Sequence, residues 1–214
     1  MKAPNREPAV TTPSIKGTAF HSVVDDVNRL LAQQQLYREQ VEVALPAAEL
    51  RLLDEKISPA AWYPIASYAR LVELLVEQEA SGGAEAYLVG RGVRTAERLS
   101  AAGIYQQLDT SLERMGVRVG AVVVTLARVI YNFTSWNYEA DSSAGFAIRV
   151  EEAAAFPDVA RFTTQGFIQQ VATQTAGHRF RVSSERPSPD LVLYHAARSD
   201  TDAGAGAERD PAAK

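Results

Sequence analysis

Apolar positions along the chain change their period once: up to about Phe133 they recur every three or four residues, and after Thr134 they mostly alternate. Val23, Val24, Val27, Leu30 and Leu31 make one helical stripe, with Asp25, Asp26 and Arg29 off it. A second helical segment over 35–45 stops before Pro46, which opens a short helix through Leu50, Leu52 and Leu53. Ser58-Pro59 reads as a helix start, with the hydroxyl as cap and proline at the next position. Ile65, Tyr68, Leu71, Val72, Leu75 and Val76 form the next stripe, ended by Gly82-Gly83. Pro64 suits its first position and holds Trp62 and Tyr63 at the helix entrance. Helix is expected again over 84–99, broken by Gly103.

The longest helix is expected from the capping box Thr110–Glu113 to about Phe133. Leu112, Met115, Val119, Val122, Val123, Leu126, Val129, Ile130 and Phe133 share its broad apolar face. Gly116 and Gly120, one turn apart, would admit a neighbouring helix closely. The β-branched run Val122-Val123-Val124 keeps a strand reading open there. Beyond it, Trp136 and Tyr138, then Phe146, Ile148 and Val150, predict two antiparallel strands joined across Asp141-Ser142-Ser143. Pro157-Asp158 introduces a helix ended by Gly177. His178, Phe180 and Val182 alternate up to a turn at Pro187-Ser188-Pro189, and Leu191–Tyr194 returns as the last strand. Helices, two strands, a helix and two strands make an α+β fold, N-terminal helices packed with a small antiparallel sheet. One domain is expected over 15–198, between disordered tails at 1–14 and 199–214 that are rich in proline, glycine and charge.

Composition narrows the chemistry. The 214 residues are 46% apolar, enough for a sizeable core, and the net charge of −4 argues against nucleic acid. With no cysteine there is no disulfide, thiolate metal site or thiol nucleophile. Residues 1–14 are no secretory signal, and the apolar run 120–127 is too short to span a bilayer. No membrane insertion and a cytoplasmic location are expected. Arg91, Arg94 and Arg98, close to Glu85 and Glu97, read as a solvated helix face ahead of an anion site.

Several short motifs fall in a recognisable order: Ile15–Phe20, Trp62-Tyr63-Pro64 with Tyr68, Gly90-Arg91-Gly92, Gly103-Ile104-Tyr105 and Gly166-Phe167-Ile168. From about 15 to 198 the chain resembles the ligand-binding domain superfamily of nitric-oxide signalling and Golgi transport. That group includes haem nitric-oxide-binding domains, 4-vinyl-reductase-like domains and Bet3-type TRAPP subunits, and the chain looks most like a bacterial branch of it. The resemblance implies a scaffold that holds a hydrophobic ligand or a partner protein. Haem members carry a proximal histidine and a Tyr-x-Ser-x-Arg motif. This chain has only His21, His178 and His195, none in the central helices, and lacks that motif. The cysteines typical of 4-vinyl-reductase-like domains are also missing. No cofactor is therefore expected.

Trp62, Tyr63, Tyr105, Trp136 and Phe167 are the candidates for an apolar ligand pocket, against the alternative that they are ordinary core and edge residues. His178 and His195 come near each other across the last hairpin, but two ligands make no metal site. No Gly-x-Ser-x-Gly elbow or carboxylate pair stands out, and Asp25-Asp26 reads as the polar first turn of a helix. The chain is not expected to be an enzyme. The first reading is a regulatory or scaffold module for protein–protein interaction with an unidentified partner. The alternative is an intracellular sensor or carrier of a small apolar ligand. A homodimer through the helical surface 119–133 follows from Bet3-type relatives, which pair through helices.

Overall fold

The computed structural model describes residues 12–101, 115–140 and 145–199. Its elements are β1 (Ser14–Lys16), α1 (Gly17–Ala32), α2 (Arg38–Ala44), α3 (Ala47–Leu50), β2 (Trp62–Pro64), α4 (Ile65–Glu79) and α5 (Ala84–Ala101). They continue with α6 (Met115–Ile130), β3 (Ser135–Ala140), β4 (Phe146–Glu151), α7 (Asp158–Ala176), β5 (Phe180–Ser188) and β6 (Leu191–Arg198). The helix start at Thr110, the break at Gly103, the turn at 141–143 and most of both expected tails lie outside the described residues.

The α+β class holds. β3, β4, β6 and β5 form an antiparallel sheet in that order, and alternation sets its faces: Phe146, Ile148 and Val150 are buried on β4, Val192, Tyr194 and Ala196 on β6. α7 packs against β5, and α5 lies against α7. The α5–α7 approach is close because two glycines face it. A Cβ on Gly92 would stand 1.9 Å from the Thr163 carbonyl oxygen, and one on Gly166 at the same distance from that of Val89. Within Gly90-Arg91-Gly92, the close approach is therefore made by Gly92.

Several local expectations are corrected. Ser58-Pro59 starts a turn rather than a helix: the Ala61 N–H donates to the Ser58 carbonyl, and Trp62–Pro64 then pairs with Ser14–Lys16 as a two-stranded ribbon. Pro64 caps α4 from outside, so Trp62 and Tyr63 are strand residues. Thr12–Ser14, assigned to the tail by composition, are anchored. The Ser14 N–H donates to Asn132 Oδ1 and the Ile65 N–H to the Pro13 carbonyl. Val122–Val124 are helical, and α6 ends at Ile130, where Tyr131 bridges to Ile15. Gly120 admits the ring of Tyr138 from β3, not a neighbouring helix.

The final hairpin turns at Pro189-Asp190, which sets Val182 opposite Ala196 and leaves His178 outside the strand. α1 begins at Gly17, so Asp25 and Asp26 lie within the helix rather than in its first turn. The surface assigned to a homodimer is used by the fold itself: Val119, Val122, Val123 and Ala127 are buried within the chain, and among the described residues of α6 the large apolar side chain left exposed is Val129.

Candidate functional site

Burial of Trp136 organises the sheet side of the molecule. It lies on the inward face of β3 with about 1% of its surface exposed, and its indole N–H donates to Thr134 Oγ1 at 2.8 Å, so the ring is buried without an orphan donor. Tyr131 stacks on it at 6.0 Å between centroids and Tyr194 at 6.2 Å, while Phe156 meets it edge-on at 5.9 Å. The stack leaves a cleft of about 80 Å³ between α5, α6, α7 and β3. Thr95 and Leu99 enter from α5, Val123, Leu126, Ala127 and Ile130 from α6, and Thr163, Thr164 and Phe167 from α7; Tyr131 and Trp136 close it.

Its polar side chains are turned to the protein. Thr95 Oγ1 donates to the Arg91 carbonyl at 2.9 Å and Thr163 Oγ1 to that of Val159 at 2.8 Å. Such back-bonding to the preceding helical turn leaves the methyl groups to face the space. Burial pushes the Tyr131 hydroxyl well up, with nearby Tyr68 adding to the effect and Thr164 opposing it. Tyr194 is likewise raised, first by burial and then by Tyr131, and its hydroxyl donates to the Arg161 carbonyl. The tyrosines are neutral at physiological pH, and the cleft offers apolar contact with no charge.

Of the five residues singled out by sequence, the structure brings Trp136 and Phe167 together in this cleft. Tyr105 lies outside the described residues. Trp62 and Tyr63 sit on the β1–β2 ribbon and do not line the cleft. Tyr63 stacks on Phe20 at 4.7 Å, and its hydroxyl accepts the Ser58 N–H. Trp62 is 42% exposed beneath the Lys16 ammonium at 4.4 Å. Sequence reasoning missed the α6 contribution and the threonines. Val123, Leu126 and Ile130 were legible as helix face, but which neighbours they would meet was not, and Ala127 was not singled out.

The histidines do not converge. His21 pairs with Asp25 on α1, His195 with Glu185 on the outer face of the sheet, and His178 Nδ1 lies 3.2 Å from the Ala176 carbonyl. Among the described residues no cluster could hold a metal ion, and no helix is long and apolar enough to cross a membrane.

Where α5 faces α1 and α4 lies an open polar groove of about 610 Å³, lined by Asp26, Arg29, Glu79, Arg91, Arg94, Glu97 and Arg98. Here the solvated-face reading fails for Arg91, which is only 8% exposed and ion-paired with Asp26. Arg29 pairs with Glu79 at 2.8 Å, and the Tyr87 hydroxyl donates to the same carboxylate at 2.6 Å. Burial raises the Glu79 carboxyl, but the Tyr87 and Arg29 hydrogen bonds bring it below its ordinary value. Tyr87 is pushed up to about 12, by burial first and by Glu79 second.

No protein-family profile matches the chain, and no curated protein matches it in sequence. Solved structures do match in fold. An Fe(II) unliganded H-NOX protein from K. algicida superposes with a TM-score of 0.60 at 10% identity, covering 87% of this chain and 97% of that one. An H-NOX protein from S. oneidensis in the Fe(II)NO state gives 0.58 at 14% identity, covering 87% and 100%. A mutant of T. tengcongensis H-NOX gives 0.58 at 10%, covering 87% and 98%. The chain has the H-NOX fold; identities this low establish nothing finer.

Heme, the subject of another structural neighbour in that family, does not fit the residues present. The cleft is far smaller than the roughly 300 Å³ at which ligand sites of drug size begin. Among the described residues that line it there is no histidine, and the sequence has no cysteine.

Proposed function

We propose that this protein is a non-catalytic sensor or carrier that takes a small, uncharged or apolar-tailed molecule into the cleft above Trp136. One observation carries the reading. An H-NOX-type scaffold keeps an apolar cleft of about 80 Å³ whose Thr95 and Thr163 hydroxyls are committed to the helix backbone. An apolar cavity of about 150 Å³ stays dry and takes up benzene, so a site about half that size suits a ligand of a few heavy atoms. The H-NOX neighbours support a small-ligand role over a protein–protein scaffold, because one is described with NO bound to its Fe(II). Here the ligand would be held by packing, not by a metal.

Xenon is the direct probe. Under xenon pressure the methyl resonances of Val123, Leu126, Ala127 and Ile130 are expected to shift together. Ala127→Leu, which fills the cleft from α6, is expected to remove the response. Shifts scattered over the surface, or the same response in A127L, would overturn the reading.

A further inference from the structure

The groove and the cleft share a wall, and Thr95 stands in it. The Thr95 side chain lines the cleft, while its Oγ1 lies 3.3 Å from the Arg98 guanidinium, which lines the groove. The two spaces therefore meet at one residue of α5. Their chemistries differ: one offers apolar contact, the other four guanidinium groups among three carboxylates.

The carboxylates are already engaged. Asp26 holds Arg91 and lies 3.9 Å from Arg29; Glu79 holds Arg29 and Tyr87; Glu97 accepts from Gln170 at 3.3 Å. Among the described residues neither Arg94 nor Arg98 has a carboxylate partner. They are four residues apart on one helix and line the same groove, so both can face a single anion. Guanidinium groups suit planar, bidentate carboxylates.

Resting on the proposed ligand site, we infer that the ligand of the cleft is a short-chain organic anion. Its apolar tail of a few carbons occupies the space above Trp136, and its carboxylate is held at the edge by Arg98, with Arg94 beside it. The buried Arg91–Asp26 pair and the Arg29–Glu79–Tyr87 cluster hold the floor of the groove and keep the acids away from the incoming anion. The cleft selects by tail volume and the groove by charge. A neutral molecule of equal length enters the cleft but forgoes the second contact.

The test compares butyrate with 1-butanol, each titrated while Trp136 fluorescence and the α6 methyl resonances are followed. Butyrate is expected to bind more tightly by roughly fivefold, the scale of an exposed ion pair, and to weaken with added salt. Arg98→Gln is expected to bring butyrate down to the butanol level while leaving butanol unchanged, and Arg94→Gln to act in the same direction more weakly. Butanol that binds alone, or a loss in R98Q equal for both compounds, would overturn the inference and leave the small-ligand reading intact. If xenon, butanol and butyrate all fail to enter, both readings fall together.

Discussion

Two aromatic clusters differ sharply in how the fold encloses them. Trp62, Tyr63 and Phe20 gather at the β1–β2 ribbon; Trp136, Tyr131, Tyr194 and Phe156 gather under the sheet. In sequence the first is the more conspicuous, two adjacent rings followed by proline. In the fold it is the lesser. Trp62 is 42% exposed, whereas Trp136 and Tyr194 are almost wholly buried. The ribbon needs only three residues per strand and gives its rings one covered side. The sheet has a buried face with α7 packed nearby, so its rings are enclosed and leave the cleft. An aromatic residue thus signals a pocket only through the elements that surround it.

Substitutions should expose that asymmetry. Trp136→Ala removes the centre of the buried stack and is expected to cost about 3–5 kcal/mol in chemical denaturation. Trp136→Phe, which keeps a ring, should lose much less. Beside the ribbon, at the start of α1, the sensitive position is Gly17, not an aromatic: a Cβ there would lie 1.9 Å from the Ser58 carbonyl oxygen and 3.1 Å from the Tyr63 ring. Gly17→Ala is therefore expected to cost about 1–3 kcal/mol, because the backbone of the 58–63 turn must move. Trp62→Ala, by contrast, gives up an exposed cation–π contact with Lys16 and should change stability by about 1 kcal/mol or less. A W62A loss as large as that of W136A would erase the distinction.

Alkaline titration sharpens the same contrast. Tyr131 and Tyr194 are raised in the folded state, chiefly by burial, and Tyr87 is pushed up to about 12. Groups with folded pKa values above their unfolded ones give their full contribution below the unfolded value, about 10 for tyrosine. That contribution is lost as pH rises through the folded values. Stability should hold up to about pH 10 and then fall, with the ionisation of Tyr131 and Tyr194 accompanied by loss of helical circular dichroism. Tyrosinate that forms at full amplitude below about pH 10, with the fold intact, would show that the stack is not enclosed.

Much of the architecture was legible because period survives in sequence. The change from helical spacing to alternation at Thr134 placed β3, β4 and α7 within a residue or two. The ribbon was not legible: three-residue strands carry too little alternation, and the pairing partner of Trp62 lies 46 positions away at Lys16. The final hairpin was read in the wrong register because Pro187 and Pro189 both suit a turn, and only the two-residue reversal at Pro189-Asp190 fits the observed pairing. For the site, Trp136 and Phe167 could be found as aromatics. The buried Arg91, paired with Asp26 at 65 positions' separation, could not, because only tertiary packing brings α1 against that side of α5.

The proposal that this H-NOX fold serves a small-ligand cleft, and not a heme pocket, is open to one direct measurement. It is native and denaturing mass spectrometry, with an absorption spectrum, on protein purified from cells supplied with a heme precursor. The expected result is a spectrum that ends with the aromatic band, and either the bare chain mass or an excess no larger than a few heavy atoms. A heme absorption band with a matching stoichiometric mass would contradict it.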